Sequence, residues 1–209
     1  MRRLYAVFLP GLIALTTSVS FSAECNYAEA LQKALNTHLP QDMAVREIRM
    51  AADDFHPRFD ASSRHYRYRL FCAGVRDPLR ERYAWRVWPA VTDLTSLANV
   101  WLGRHDFGAF GTSPQPGDST VRTVVSAIWQ QQSDEWIFEI QADAFLYRMV
   151  RRLVYAQVAV GQARLSANAL ALALDDKSGN WPDACAKIPA SLAPACGLTL
   201  VEVRYDNLV

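Results

Sequence analysis

At 209 residues, with 51% hydrophobic, 21% charged and a formal net charge of +1, the chain has the balance of an ordinary globular protein. That length holds one substantial domain or two small lobes sharing a sheet, and the charge total carries no general attraction to a polyanion. Repeat architectures and low-complexity tracts are excluded, because the sequence contains neither.

In chain order, Met1 to Ala23 has the layout of a secretory signal peptide. Arg2 and Arg3 precede an apolar run from Leu4 to Leu15, and Phe21-Ser22-Ala23 supplies small residues of the cleavage type. Pro10 interrupts the run, which is too short to span a bilayer, so no membrane segment is expected. Asn26 to Thr37 has apolar residues at helical spacing, with Asn26 as a candidate N-cap. Met43 to Met50 reads as a strand, Arg64 to Cys72 as a strictly alternating one, and Tyr83 to Val87 as a third. A helix is expected over Asp93 to Leu102, stopped by Gly103, and then a polar Pro/Gly-rich loop from Gly111 to Thr120. Thr123 to Gln130 and Glu135 to Ala142 form a hairpin pattern. Helices are predicted at Leu146 to Val160 and Ala167 to Leu174, and Leu198 to Tyr205 gives a closing strand. Hairpins and helices mix without βαβ alternation. The class is α+β, with a largely antiparallel sheet and helices on one side.

Charge is unevenly placed. Between Phe55 and Ala90 lie eight arginines (Arg58, Arg64, Arg67, Arg69, Arg76, Arg80, Arg82, Arg86) against three acids, Asp60, Asp77 and Glu81. A basic stretch with interleaved aromatics fits a phosphate backbone, and equally a solvated arginine face. On the strand Arg64 to Leu70, alternation puts Tyr66 and Tyr68 on one face with Arg64, and His65, Arg67 and Arg69 on the other. Such a strand can stack a base on tyrosine while arginines hold phosphates, or simply bury both tyrosines. On the later helix, Arg148, Arg151, Arg152 and Tyr155 gather on one arc, opposite Phe145, Leu146, Met149, Val150, Leu153 and Val154. Three clustered arginines want an anionic partner: a carboxylate, a phosphate or solvent counterions. The cysteines Cys25, Cys72, Cys185 and Cys196 show no metal-ligand spacing, and free, mostly buried thiols are expected.

These same residues carry a resemblance. Phe55-His56-Pro57-Arg58-Phe59-Asp60-Ala61, followed by Arg64-His65-Tyr66-Arg67-Tyr68, is similar to the "FHARF-A-x-x-R-x-Y-x-Y" signature of the tRNA pseudouridine synthase A family. Ala144 to Arg151 resembles its "AFLxxMVR" motif. Leu35 to Pro40 ("LNxxLP"), Gly103 to Phe110 ("GxxDFxxF") and Ala193 to Leu198 ("APAxGL") follow the same order. Together they cover about Val19 to Tyr205.

The resemblance implies a pseudouridine synthase-like fold that isomerises uridines in the anticodon stem and loop of tRNA, as a cytoplasmic homodimer using neither cofactor nor metal. It assigns Tyr66 to packing on the target base and Arg151 to pairing with the catalytic aspartate. Arg58, Arg64, Arg67 and Phe145 would contact substrate. The flipped uridine would lie between Tyr66 and Arg151. The family's nucleophile sits in a "GRTDxGVHA" motif, and no such run occurs in these 209 residues. Val19 to Glu24 fits the end of the strand that follows that motif, and the preceding residues match nothing. The expectation is a chain lacking the family's first strand and helix, inactive without its aspartate. Its parts would be a non-matching leader (1–18), signal-like in composition but read as an out-of-frame or misplaced start, the remainder of an N-terminal lobe (19–90) and a C-terminal lobe (91–209). Two rivals are a non-catalytic tRNA-binding remnant and an exported, disulfide-bonded protein with a real signal peptide.

Overall fold

A computed structural model describes residues 27–115, 117–175 and 191–206, together with strands β1 (Arg3–Phe8) and β2 (Leu15–Thr16). The chain divides into two compact units, residues 1–63 with 200–209, and residues 64–199. Asn26, Cys25, Cys185 and most of the leader lie outside the described residues.

In the smaller unit, β3 (Val45–Ala51) pairs antiparallel with β1, which pairs with β2. α1 (Tyr27–His38) has no buried residue and is fastened to β3 by side-chain amides. Gln32 donates to the carbonyls of Val45 and Arg46 at 3.0 and 2.7 Å. Asn36 both donates to the Val45 carbonyl (2.8 Å) and accepts from its N–H (2.6 Å). Polar ties replace an apolar seam, so this helix depends on geometry more than on burial.

The larger unit holds the core. Its sheet runs β5 (Trp85–Val87), β4 (Ser63–Cys72), β8 (Glu135–Ala142), β7 (Val121–Gln132), β6 (Gly103–Asp106). β4 and β5 are parallel; the other neighbours on this path are antiparallel. The sequence predicted this antiparallel α+β class. Trp136, Phe138, Ile140 and Ala142 alternate inward from β8, beside Tyr68 and Leu70 of β4. On β7 a bulge between Val124 and Ser126 shifts the phase, so Val124 is followed inward by Ala127 and Trp129. α2 (Met149–Gly161) buries Met149, Val150, Leu153 and Val154 in this core, and α3 (Ala167–Asp175) adds Leu170 and Leu174. Among the described residues, one polar side chain is fully buried there. Gln157 of α2 accepts from the Trp129 indole N–H at 2.8 Å and donates to the Leu153 carbonyl at 3.1 Å.

Five local expectations change. Thr95–Trp101 is a 3₁₀ helix rather than an α-helix, closed by Gly103 at φ 101°. The short strand β6 was not anticipated. α2 begins at Met149, because an antiparallel bridge between Thr112 and Tyr147 holds the preceding residues out of the helix. Arg148 therefore leaves the predicted arc and adopts a left-handed conformation at φ 65°. The closing strand β9 (Leu198–Arg204) ends one residue earlier than predicted. Cys72 is half-buried and Cys196 exposed rather than buried, and both are free thiols.

Candidate active site

β4 and the exit of β8 bring the first two candidates together. Tyr66 sits opposite Ile140 in the β4–β8 register, so a residue just past the strand end at Ala142 can fold back over it. Phe145 does so. The two rings meet edge to face, with centroids 5.0 Å apart and planes at 83°. Burial pushes the Tyr66 phenol above its usual range, opposed in part by the positive charge of Arg64. The hydroxyl is therefore neutral at physiological pH and can donate a hydrogen bond. Arg64 Nη1 donates to the Asp143 carbonyl at 2.7 Å, which fastens the same corner.

Asp143 organises that corner. Its carboxylate accepts from the Thr123 N–H (3.1 Å) and the Ala144 N–H (2.5 Å), and its own N–H donates to the Thr123 carbonyl (3.1 Å). Leu146 packs against Gly111 so closely that a Cβ there would overlap its side chain. The segment from Asp143 to Tyr147 is thus pinned at both ends.

Arg151 is held by a different strap. Its Nε donates to the Ala193 carbonyl at 2.6 Å, and the Arg151 carbonyl accepts the Ala193 N–H at 3.2 Å. The next residue of the strap, Pro194, accepts the Tyr68 hydroxyl at 2.7 Å. Tyr68 is fully buried, and desolvation drives its phenol far above the ordinary value while Arg151 partly opposes this. Gly197 closes the strap against the Tyr68 ring and the Arg69 carbonyl. Sequence reasoning had both the tyrosine pair and the Ala193–Leu198 motif, yet nothing in it tied one to the other.

Arg67 stands apart from Tyr66, on the other face of β4. Its Nε donates to Glu139 at 2.7 Å, and His65 Nε2 lies 2.9 Å from the other oxygen of the same carboxylate. Arg69 is similarly bonded to Glu135. Arg58 belongs to the smaller unit. There its guanidinium lies 5.7 Å from the centre of the exposed Phe59 ring, in a tight turn where the His56 N–H donates to Asp60 at 2.7 Å. No group of three or more His, Cys, Asp or Glu that could hold a metal occurs among the described residues, and none of their helices is long and apolar enough to cross a membrane.

A family profile described as tRNA pseudouridine synthase matches residues 97–206. The chain belongs to that family. It is 37% identical over 182 residues to tRNA pseudouridine synthase A of Methylacidiphilum infernorum, covering 85% of this chain and 68% of that protein. The Solidesulfovibrio magneticus protein of the same name is 38% identical over 182 residues, covering 83% and 63% of the two chains. That of Shouchella clausii is 32% identical over 200 residues, covering 94% and 74%. By family this pseudouridine synthase is an isomerase, and the profile takes in Phe145, Arg151 and the strap that holds it.

Proposed function

We propose that this chain binds the anticodon stem and loop of tRNA, with the target uracil against Tyr66 and Phe145 and with Arg151 facing the position of the catalytic carboxylate. The observation that carries this reading is the pinned Tyr66–Phe145 pair, an apolar edge-to-face platform with a neutral phenol and Arg64 beside it. Extruded bases are held by such aromatic contacts, and a cation beside a carboxylate keeps it ionised. Arg58 and Arg67 would meet phosphates, Arg67 only through the guanidinium N–H groups that its ion pair with Glu139 leaves over.

The chemistry needs a carboxylate at the ribose anomeric carbon, after which the freed uracil turns and rejoins through C5. These 209 residues contain no Gly-Arg-Thr-Asp run. The acids nearest the motifs are committed elsewhere, Asp60 to the His56 N–H and Asp143 to the Thr123 and Ala144 N–H groups. We therefore infer that the 209 residues by themselves bind tRNA in the cytoplasm, as a homodimer, and turn it over little or not at all.

Tritium release from tRNA labelled at uracil C5 tests both parts. The 209-residue chain should release none above background. The same chain extended with a Gly-Arg-Thr-Asp-bearing segment should release it, and Arg151→Ala should abolish that release. Release by the unextended chain would show that another carboxylate supplies the step.

A further inference from the structure

We propose that Tyr147 and Arg148 form a second base-stacking platform, which takes the nucleotide next to the target uridine and helps set which tRNA sequences this chain prefers. The inference rests on the tRNA-binding reading above and extends it to residues outside the Tyr66–Phe145 contact.

Four features converge on this pair. Tyr147 is 62% exposed, although its neighbours Leu146 and Met149 are buried. The ring face is therefore open to a partner, and its meaning comes from what surrounds it. The Arg148 guanidinium lies over the Tyr147 ring, 4.8 Å from its centre, which presents a joined cation and π-face to the outside. Arg148 adopts φ 65° and ψ 5°, a left-handed conformation that costs an L residue stability and is tolerated where the surroundings impose it. Finally, the ring is not on a loose loop. The Thr112–Tyr147 bridge, with Tyr147 N–H donating to the Thr112 carbonyl at 2.9 Å, fixes its backbone.

Position selects the occupant. Two residues of chain span at most about 7 Å, so Tyr147 follows Phe145 within the reach of one unstacked nucleotide step. An aromatic ring with a guanidinium over it suits a base flanked by its phosphate, since every base has a π-face and every step a negative charge. An acidic peptide would use the cation and leave the ring without a role. Selectivity would come from stacking strength, so purines beside the target should bind more tightly than pyrimidines.

The test is fluorescence anisotropy of the full 209-residue chain with a labelled, unmodified tRNA transcript at several salt concentrations. Tyr147→Ala should weaken binding about tenfold or more, and Tyr147→Trp should retain it. Arg148→Gly is the sharper probe, because glycine relieves the left-handed backbone. It should raise the melting temperature while weakening binding and lowering the salt slope by about one. A merely structural arginine would not separate those two readouts. Tyr147→Ala and Arg148→Gly chains that bind tRNA like the wild type would overturn the platform and leave the tRNA-binding reading standing. No salt-sensitive binding by the wild-type chain would overturn that reading, and the platform with it.

Discussion

Gly197→Ala perturbs the strap that holds Arg151, and its cost follows from the atoms around it. A Cβ at Gly197 would lie 2.6 Å from the Arg69 carbonyl oxygen and 2.7 Å from both Cε1 and Cζ of Tyr68. Neither neighbour can give way easily. The carbonyl belongs to β4, which is paired on both sides by β5 and β8, and the Tyr68 ring is fully buried with its hydroxyl bonded to Pro194. Relief requires moving the strap. Overpacking of a core costs roughly 1–3 kcal/mol, and loosening the Tyr68–Pro194 hydrogen bond adds about 0.5–1.5 kcal/mol. The expected loss is therefore about 2–4 kcal/mol, equivalent to a melting point lower by roughly 5–15 °C for a chain of this size. Urea unfolding followed by tryptophan fluorescence measures it, since Trp101, Trp129 and Trp136 are all buried in the larger unit. Gly74→Ala is the matched control. Its Cβ would meet the Trp88 ring at 3.7 Å, an ordinary contact, so stability should stay within about 1 kcal/mol of wild type. Equal unfolding midpoints for Gly197→Ala and Gly74→Ala would refute the argument that this strap is set by close approach.

Gln157→Leu keeps the size of the side chain but leaves the buried Trp129 N–H without an acceptor, and should cost about 1–3 kcal/mol in the same urea assay. An unchanged midpoint would mean that the indole finds another partner. Acid should also weaken the larger unit. Arg80 holds Asp134 below its ordinary 3.8, and Arg76, with help from Arg86, holds Glu81 below its ordinary 4.5. A depressed folded-state value contributes stability that is present above the unfolded value and lost as pH falls through the folded one. The urea midpoint should therefore drop between pH 7 and about pH 3, and drop less in Arg80→Gln; parallel pH profiles would count against the Arg80–Asp134 contribution.

How far the sequence could be read depended on how local each decision was. β4 and β8 were legible because alternation is written residue by residue: Tyr68, Leu70, Phe138 and Ile140 had to share a buried face whatever lay across from them. The start of α2 was not, because the pattern from Leu146 onward is helical by period. The residue that overrides it, Thr112, is 35 positions away and acts through its backbone, which carries no side-chain signature. The candidate site divides in the same way. Motif resemblance supplied Tyr66, Phe145 and Arg151, and strand geometry then explains why the first two touch. Arg67 has its partner Glu139 72 residues away, and Arg151 has Ala193 42 residues away. Both partners are fixed by sheet register and loop return rather than by local pattern. The family motif thus names Phe145 and Arg151 and leaves two positions between them blank. Tyr147 and Arg148 occupy the two unspecified places of "AFLxxMVR". The motif does not distinguish them, and periodicity set Arg148 on a helical arc that it leaves; the pair stands out only when a left-handed backbone and an exposed ring under a guanidinium appear side by side. Exchanges at Tyr147 and Arg148 should therefore alter tRNA preference without disturbing the pinned corner at Asp143 and Phe145.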